Sequence, residues 1–152
     1  PNLVVSRTLS RAYGLSGLRI GFAIAQPVLT DLMNRIRQPF NVNSLAQAAA
    51  IAALNDKAFL EQSARNNAAG YQQFTEAFTQ LGLEFVPSHG NFVLVKVGDD
   101  DGAGARVNLA LLQQGVIVRP VGSYGLPQWL RISIGLPQEN AIFIAALTKA
   151  LA

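Results

Sequence analysis

Cysteine is absent from this chain, which excludes both a disulfide framework and a thiolate metal site. Charge is scarce as well, since 14% of the 152 residues are charged and the net charge is +3. The nine arginines and three lysines are scattered rather than clustered, so a nucleic-acid partner is not expected. No apolar run approaches the roughly 20 residues of a membrane helix, and the opening residues do not predict a secretory signal. We therefore expect neither a nucleic-acid partner nor a membrane partner.

What is present is the composition of a globular protein with a sizeable core, because half of the residues are apolar. The length suits one ordinary domain or one and a half small ones. The chain has no initiator methionine and enters a β-like run almost at once. We therefore expect residue 1 not to be the start of the gene product.

The first part of the chain alternates strand-like and helix-like patterns. A long helix is expected from residue 57 to 81, with Gly82 as its terminator, because its apolar residues draw a single stripe at helical spacing. That stripe consists of Leu60, Ala64, Ala68, Tyr71, Phe74, Phe78 and Leu81. The preceding elements are predicted as strands at 3–9 and 18–25, a helix at 27–37 with Leu29, Leu32, Met33 and Ile36 on one face, and a helix at 45–56 with Ser44 as its N-cap.

After Gly82 the pattern changes to short strands and two helices. Strands are predicted within 83–88, 91–97, 116–121 and 129–135; helices are predicted at 106–114, stopped by Gly115, and from Pro137 onward, with Ile142, Ala146 and Leu147 facing inward. The three aspartates of the turn at 98–104 predict an exposed loop rather than a metal site. Residues 57–152 thus indicate an α+β domain with a mainly antiparallel sheet, whereas 1–30 resemble the edge of a larger α/β body.

Hydroxyl, glycine and arginine side chains are concentrated between the first two strands. Hydroxyls and a guanidinium at Thr8, Ser10 and Arg19 are groups that bind phosphate, and Gly14 and Gly17 allow close backbone approach. Taken alone, this pattern leaves two interpretations open, a phosphate-binding loop and an ordinary surface loop.

A family resemblance narrows that choice. The segment TLSRAYGLSGLRIGFAIA at 8–25 closely resembles the cofactor-lysine segment of the histidinol-phosphate aminotransferase group, which are fold-type I, pyridoxal-phosphate-dependent enzymes. GNFVLVKV at 90–97 is similar to their small-domain strand, and GVIVRPVGSYGLPQWLRISIGLPQEN at 115–140 to their C-terminal motif. The resemblance covers essentially the whole chain. It implies a partial fold-type I α/β fold: the end of the large-domain sheet (1–30), connecting helices (31–56) and an α+β C-terminal small domain (57–152).

The resemblance also implies roles for individual residues. Ser10 and Arg19, together with Thr8, would bind the phosphate of pyridoxal 5'-phosphate. Arg131 would hold the substrate α-carboxylate, and Arg119 would face the substrate side chain and help to bind its phosphate. From the strand pattern alone, Arg131 is an outward-facing surface arginine and Arg119 an edge-strand charge, and the shared motif changes that interpretation. Four other residues are given lesser roles: Asn91 (structural or near the substrate), His89 (an exposed loop imidazole), and Tyr124 and Trp129 (packing).

Arg11 departs from the family pattern, because the family has its Schiff-base lysine at this catalytic position. An amine that can lose its proton is needed there, and a guanidinium group is a poor substitute because it stays charged. Lys57, Lys96 and Lys149 lie in other sequence contexts, so none replaces it. The aromatic and acidic residues that hold the cofactor ring in the family have no counterpart in this chain either.

Two classes of function follow from these observations. The first is a C-terminal portion of a homodimeric cytoplasmic aminotransferase of histidine biosynthesis, acting on histidinol phosphate and 2-oxoglutarate, and inactive as this chain. Related fold-type I enzymes, such as threonine-phosphate decarboxylase and other amino-acid aminotransferases, share much of the motif. The second class is a non-catalytic module that keeps the fold and associates through its exposed strands.

Overall fold

The computed structural model describes residues 2–152. They divide into two compact units, one ending at Ala64 and the other beginning at Arg65. The strands and helices, in chain order, are β1 (Val4–Thr8), β2 (Gly21–Ala25), α1 (Pro27–Ile36), α2 (Ser44–Asn55), α3 (Lys57–Gln80), β3 (Phe85–Val86), β4 (Phe92–Lys96), α4 (Ala103–Gln113), β5 (Arg119–Pro120), β6 (Trp129–Ser133) and α5 (Pro137–Leu151). The unit boundary therefore lies within α3.

The first unit opens with an antiparallel hairpin formed by β1 and β2. Its register pairs Val5 with Ile24 and Thr8 with Gly21, so the two strands are matched over their full length. The second strand begins later than the sequence pattern predicts, because Ser16–Leu18 form a turn of 3-10 helix. Both strands are exposed along almost their whole length.

One predicted helix cap in the first unit is wrong. Asn43, rather than Ser44, is the N-cap of α2: its side-chain oxygen accepts the backbone N–H of Ala46 at 2.8 Å. An N-cap side chain reaches the N–H three residues later, and Asn43 stands at that spacing. Helix α1 begins at Pro27 as predicted, because proline suits the first helical turn.

The second unit is built on a four-stranded antiparallel sheet with the order β3-β4-β6-β5. Buried residues alternate along β4 and β6, so one face of the sheet is covered. Three phenylalanine rings pack against each other, with their centroids 5.3 to 6.4 Å apart. They belong to Phe74 and Phe78 of α3 and to Phe143 of α5. These rings, with Val93, Val95, Leu111, Leu130 and Leu147, form the centre of the core.

Side-chain hydrogen bonds to the backbone of Gly135 form a clamp that links β6 to α5. Asn140 is buried, and its Oδ1 accepts the N–H of Gly135 at 2.9 Å while its Nδ2 donates to the carbonyl of the same glycine at 3.3 Å. Asn66 of α3 donates to that carbonyl as well, at 3.2 Å. Both backbone polar groups of Gly135 are therefore hydrogen-bonded to side chains.

Several boundary and burial predictions for the second unit are wrong. Helix α4 begins at Ala103, three residues before the predicted start. The glycine at 104 suggested a loop, but a Cβ there would overlap the carbonyl oxygen of Pro127, so glycine is needed for close packing within the helix. Ile142 is 62% exposed and does not face inward, whereas Ala146 and Leu147 are buried as predicted.

Helix α3 follows its predicted stripe only in its second half. Phe74 and Phe78 are buried, but Ala64 and Ala68 are exposed. The helix ends at Gln80, and Gly82 adopts a φ of 68°, the left-handed conformation expected of a terminating glycine. Among the helices described, none combines the length and the hydropathy that crossing a membrane requires.

Candidate functional site

The loop between β1 and β2 is closed on itself by backbone bonds around one buried side chain. Leu9 is fully buried, its N–H donates to the carbonyl of Ile20 at 3.2 Å, and its carbonyl accepts the N–H of Leu15 at 3.0 Å. Just before it, the Thr8 hydroxyl accepts the N–H of Ser10 at 3.1 Å. Leu9 thus anchors the loop and places the polar residues on either side of it at the surface.

Arg19 has an unusual backbone conformation in the same loop. Its φ is 54°, in the left-handed region that costs a non-glycine residue about 1–2 kcal/mol. The guanidinium Nη1 donates to the carbonyl of Ser16 at 2.8 Å, so the side chain is tied to its own loop. Strained backbone of this kind is found disproportionately at binding sites.

Thr8, Ser10 and Arg19 line one open cavity of about 500 Å³. A Cβ at Gly21, in the same lining, would lie 2.5 Å from the carbonyl oxygen of Arg7, so only glycine fits there. Two hydroxyls and a guanidinium are good ligands for a phosphate group. The loop thus brings together the three residues that the sequence predicts for phosphate binding.

Arg11 does not belong to the lining of this cavity. Its side chain is exposed, and its backbone carbonyl accepts the N–H of Gly14 at 2.9 Å within the turn. A cofactor that must bond to a primary amine does not fit this loop, because a guanidinium cannot act as that amine near neutral pH. The loop therefore fits the phosphate end of such a cofactor and does not fit its aldehyde end.

A second constellation lies on the sheet of the second unit. Arg119 of β5 and Arg131 of β6 are directly opposite each other in the register, and like charges in that position repel. The Arg131 guanidinium carbon lies 5.0 Å above the centre of the Phe92 ring, and Arg119 Nη2 donates to the Tyr124 hydroxyl at 3.5 Å. Arg131 Nε is buried, and no hydrogen-bond partner for it is found among residues 2–152. Two arginines opposite each other in the register, one of them with a buried donor that has no partner among the described residues, favour an anionic ligand.

Neighbouring residues are placed mostly as the sequence predicts. His89 is exposed in its loop, and the carbonyl of Asn91 accepts the N–H of Ile134 at 2.9 Å. Tyr124 is exposed rather than packed, which corrects the prediction, whereas Trp129 is half-buried. Tyr124 instead contributes its hydroxyl to Arg119, because the 3-10 turn at Gly122–Tyr124 directs the ring toward β5.

The acidic turn before α4 is a set of surface ion pairs and hydrogen bonds. Lys96 binds Asp99 at 2.7 Å, Gln128 binds Asp101 at 2.6 Å, and both terminal nitrogens of Arg106 bind Asp100 at 2.7 Å. The Arg106 bond, with the N–H of Gly102, holds the pKa of Asp100 well below its ordinary value. In the part of the chain that is described, no cluster of acidic, histidine or cysteine side chains suits a metal ion.

Two residues with important contacts are not indicated by the sequence pattern: Phe92 beside the paired arginines, and Asn140 in the clamp around Gly135. Phe92 was read only as part of a strand, and its position beneath Arg131 depends on the β4–β6 register, which no local pattern reveals. Asn140 ends the GLPQEN run, and an asparagine three residues after a helix-opening proline was the available signal for its buried role.

The sequence is similar to known proteins over its whole length. The family model for class I and II aminotransferases matches residues 1–147. Histidinol-phosphate aminotransferase 2 of Ralstonia nicotianae is 77% identical over 152 residues, which are all of this chain and 41% of that protein. Histidinol-phosphate aminotransferase 1 of Cupriavidus pinatubonensis is 75% identical over 151 residues, 99% of this chain and 40% of that protein. The chain thus spans about two fifths of the length of these curated relatives.

A solved structure extends the comparison to three dimensions. The histidinol-phosphate aminotransferase of Sinorhizobium meliloti, crystallised with pyridoxal-5'-phosphate, superposes with a TM-score of 0.91 at 33% sequence identity. The match covers 99% of this chain and 41% of that one. The α/β architecture described above is therefore that of part of such a protein.

Proposed function

Because this chain belongs to the aminotransferase class I and II family, we propose that it forms the C-terminal portion of a pyridoxal-phosphate-dependent aminotransferase. The reaction transfers an amino group between histidinol phosphate and 2-oxoglutarate in histidine biosynthesis. The observation that carries the proposal is the convergence of Thr8, Ser10 and Arg19 on one cavity, in a chain that resembles histidinol-phosphate aminotransferases over its whole length. The parent enzyme works as a homodimer in the cytoplasm.

Three segments of the chain divide the work in this proposal. Residues 1–30 form the end of the cofactor-binding domain, residues 31–56 form connecting helices, and residues 57–152 form the C-terminal small domain. Thr8 and Ser10 donate hydroxyl hydrogen bonds to the cofactor phosphate, and Arg19 adds a charge-assisted bond. When bound, pyridoxal phosphate supplies an electrophilic aldehyde and an electron sink.

The substrates of this reaction are anions, and the paired arginines are suited to bind them. Arg131 holds the α-carboxylate of the dicarboxylic partner with a forked pair of N–H donors. Arg119, opposite it in the register, binds the second charge, which is a side-chain carboxylate or the phosphate of histidinol phosphate. An anion placed between the two guanidinium groups also relieves their mutual repulsion.

Arg11 leaves the proposed site without its covalent attachment point. The guanidinium keeps its proton at any physiological pH, so it neither bonds to the aldehyde nor carries a proton away from the substrate carbon. A parent enzyme with arginine at this position is expected to bind its ligands and not to turn over.

A chimeric enzyme tests the proposal. The 152 matched residues of the Ralstonia nicotianae relative are replaced by this chain, once with Arg11 and once with Arg11→Lys. The Arg11→Lys chimera should transfer the amino group of histidinol phosphate to 2-oxoglutarate, and the Arg11 chimera should lose at least about 10³-fold in kcat, as expected when a covalent catalyst is removed.

Borohydride reduction followed by peptide mass spectrometry provides the control. The cofactor should become attached to residue 11 in the lysine variant only. If the Arg11→Lys chimera binds the cofactor but leaves histidinol phosphate unchanged, the substrate assignment is wrong. Attachment at Lys57, Lys96 or Lys149 would show that the chemistry has been placed at the wrong residue.

A further inference from the structure

The loop that follows β5 holds an exposed tyrosine on a well-anchored backbone. Val121 is buried, and its carbonyl accepts the N–H of Tyr124 at 2.9 Å across the 3-10 turn at Gly122–Tyr124. Gly125 then adopts a φ of 78°, a left-handed conformation that suits glycine. The ring of Tyr124 is 65% exposed, so packing is not its main role.

The other end of this loop is attached to the start of α4. The backbone N–H of Gly104 donates to the carbonyl of Pro127 at 3.1 Å. The side chain of Gln128 donates to the Asp101 carboxylate at 2.6 Å. Because the loop is hydrogen-bonded on both sides of Tyr124, the tyrosine is positioned before a ligand arrives, which lowers the entropy cost of binding.

The Tyr124 hydroxyl and the Arg119 guanidinium lie close together without satisfying each other. Arg119 Nη2 is 3.5 Å from the hydroxyl oxygen, whereas an ordinary N–H···O bond measures about 2.7–3.2 Å. The hydroxyl accepts in this contact, so its own hydrogen stays available for another acceptor. Two donors at this separation both reach a single oxygen atom placed between them. The pair is therefore arranged to donate to one ligand.

The described residues supply no acidic partner to these donors. Among residues 2–152, no carboxylate forms an ion pair with Arg119 or with Arg131, which lies opposite it in the register. Arg131 Nε is buried, and it has no hydrogen-bond partner within the same part of the chain. The two arginines and Tyr124 therefore favour a ligand that carries several anionic oxygens.

Phosphate and carboxylate groups use such a set of donors differently. A carboxylate has two oxygens, and the fork of one guanidinium binds both of them. A phosphate monoester has three terminal oxygens and a charge of about −1.5 to −2 at pH 7, so an oxygen remains for a further donor when the fork is occupied. A neutral hydroxyl beside the fork therefore adds more to the binding of a phosphate than to the binding of a carboxylate.

We propose that Tyr124 is a specificity-determining residue for the phosphorylated substrate. Its hydroxyl donates to a phosphate oxygen that the fork of Arg119 leaves free, and it contributes little when a carboxylate takes the same place. This inference rests on the proposed function, in which Arg119 binds either the phosphate of histidinol phosphate or a side-chain carboxylate. It assigns the distinction between these two anions to the hydroxyl beside the arginine.

Tyr124→Phe in the Arg11→Lys chimera tests this role, because the change removes the hydroxyl and keeps the ring. The KM for histidinol phosphate should rise about 3- to 10-fold, as expected for the loss of one hydrogen bond, while the KM for 2-oxoglutarate should change less than about 2-fold. Steady-state kinetics with each substrate varied in turn measure both constants. An equal rise for both substrates, or no rise for either, would overturn the proposal.

Two further variants separate the hydroxyl from its surroundings. Arg119→Gln removes the fork itself and should raise the KM for both substrates. Tyr71→Phe removes the hydroxyl of a tyrosine that packs against the core of the second unit, and it should change neither constant. If Arg119→Gln raised the KM for histidinol phosphate alone, the arginine would make the distinction by itself, and the assignment to Tyr124 would be wrong.

An NMR titration of the 152-residue chain tests the same hydroxyl without cofactor or turnover. Inorganic phosphate and acetate are the probes, and the backbone amides of Arg119 and of the turn at Gly122–Tyr124 report binding. Tyr124→Phe should raise the Kd for phosphate about 3- to 10-fold and leave the Kd for acetate unchanged. An unchanged Kd for phosphate would overturn the proposal. A selective loss of phosphate binding, combined with an Arg11→Lys chimera that leaves histidinol phosphate unchanged, would count against the proposed reaction and not against the role of Tyr124.

Discussion

At the scale of single residues, the guanidinium group determines the chemistry at two positions in opposite ways. At Arg131 its permanent charge and forked donors suit a carboxylate, and its buried Nε has no hydrogen-bond partner among the residues that the structure describes. At Arg11 the same permanent charge prevents the group from acting as a nucleophile or a base. The same group therefore suits anion binding at one position and excludes covalent catalysis at the other.

The Phe92 ring is predicted to position Arg131 for its anion. In the Arg11→Lys chimera, Phe92→Leu should raise the KM for 2-oxoglutarate by about 2- to 30-fold, with a smaller change in kcat. The reason is that the cation–π contact at 5.0 Å is worth about 0.5–2 kcal/mol. Steady-state kinetics with varied 2-oxoglutarate measure the effect. Phe92→Tyr keeps the ring and should leave the KM unchanged. An equal rise of the KM in both variants would mean that the packing of Phe92, and not its ring face, positions Arg131.

The Asp100–Arg106 pair predicts a pH effect at the start of α4. Because Arg106 lowers the folded-state pKa of Asp100 below its unfolded value, the pair stabilises the turn above about pH 4. That contribution is lost as the pH falls below this value. An NMR titration of the Asp100 carboxyl should show a higher pKa in Arg106→Gln. Arg35→Gln, which removes the partner of Asp31, is the control and should leave the Asp100 pKa unchanged.

At the scale of elements, the contact between α3 and the β6–α5 connection depends on the absence of a side chain. Gly70 is buried in the middle of α3, where glycine ordinarily costs about 1 kcal/mol relative to alanine. Here a Cβ would overlap the Ile134 side chain and lie 2.8 Å from Asn140 Nδ2. The close approach leaves room for the clamp around Gly135, so packing outweighs helix propensity at this position.

Gly70→Ala is therefore predicted to destabilise the chain instead of stabilising it. The free energy of unfolding should fall by about 1–3 kcal/mol, the usual cost of overpacking a core. Chemical denaturation followed by circular dichroism measures the change. Gly17→Ala is the control, because nothing lies within 4 Å of its Cβ, and it should have little effect. A stabilised Gly70→Ala variant would show that α3 and the β6–α5 connection can move apart without loss of stability.

Helix α1 shows that the spacing of apolar residues predicts a helix but not the burial of its apolar side. Its apolar stripe correctly predicts a helix that begins at Pro27, yet no residue of that helix is buried. A period of 3.6 residues reveals which side of a helix is apolar, but not whether a neighbour is present to cover that side. The same limit explains Ala64 and Ala68, which belong to the stripe of α3 and are exposed.

At the scale of the whole molecule, the contrast between the two units predicts an unusually small unfolding enthalpy. The second unit has 88 residues, which is 152 less 64. At about 0.7 kcal/mol per residue near 60 °C, cooperative melting of that unit alone gives about 60 kcal/mol, whereas the full chain would give about 105 kcal/mol. Scanning calorimetry of the isolated chain should give the lower value. The higher value would mean that the first unit is as well packed as the second.

The sequence alone determined most elements of this chain and predicted the residues that are proposed to bind phosphate, because both depend on local spacing. Helix and strand periods, the terminating Gly82 and the short loop that carries Thr8, Ser10 and Arg19 all involve residues that are close in the chain. The motif around Arg11 likewise identified the family and the missing amine without any coordinates.

Only the tertiary structure decided what depends on strand register and on neighbours distant in sequence. The register of β4, β5 and β6 places Phe92 beneath Arg131 and Arg119 opposite it. Burial separated inward Leu147 from exposed Ile142, although both are apolar residues of one helix. Burial also showed that most buried apolar residues lie in the second unit. A sequence pattern indicates which surfaces are apolar, but only the structure shows which of them are covered by other residues.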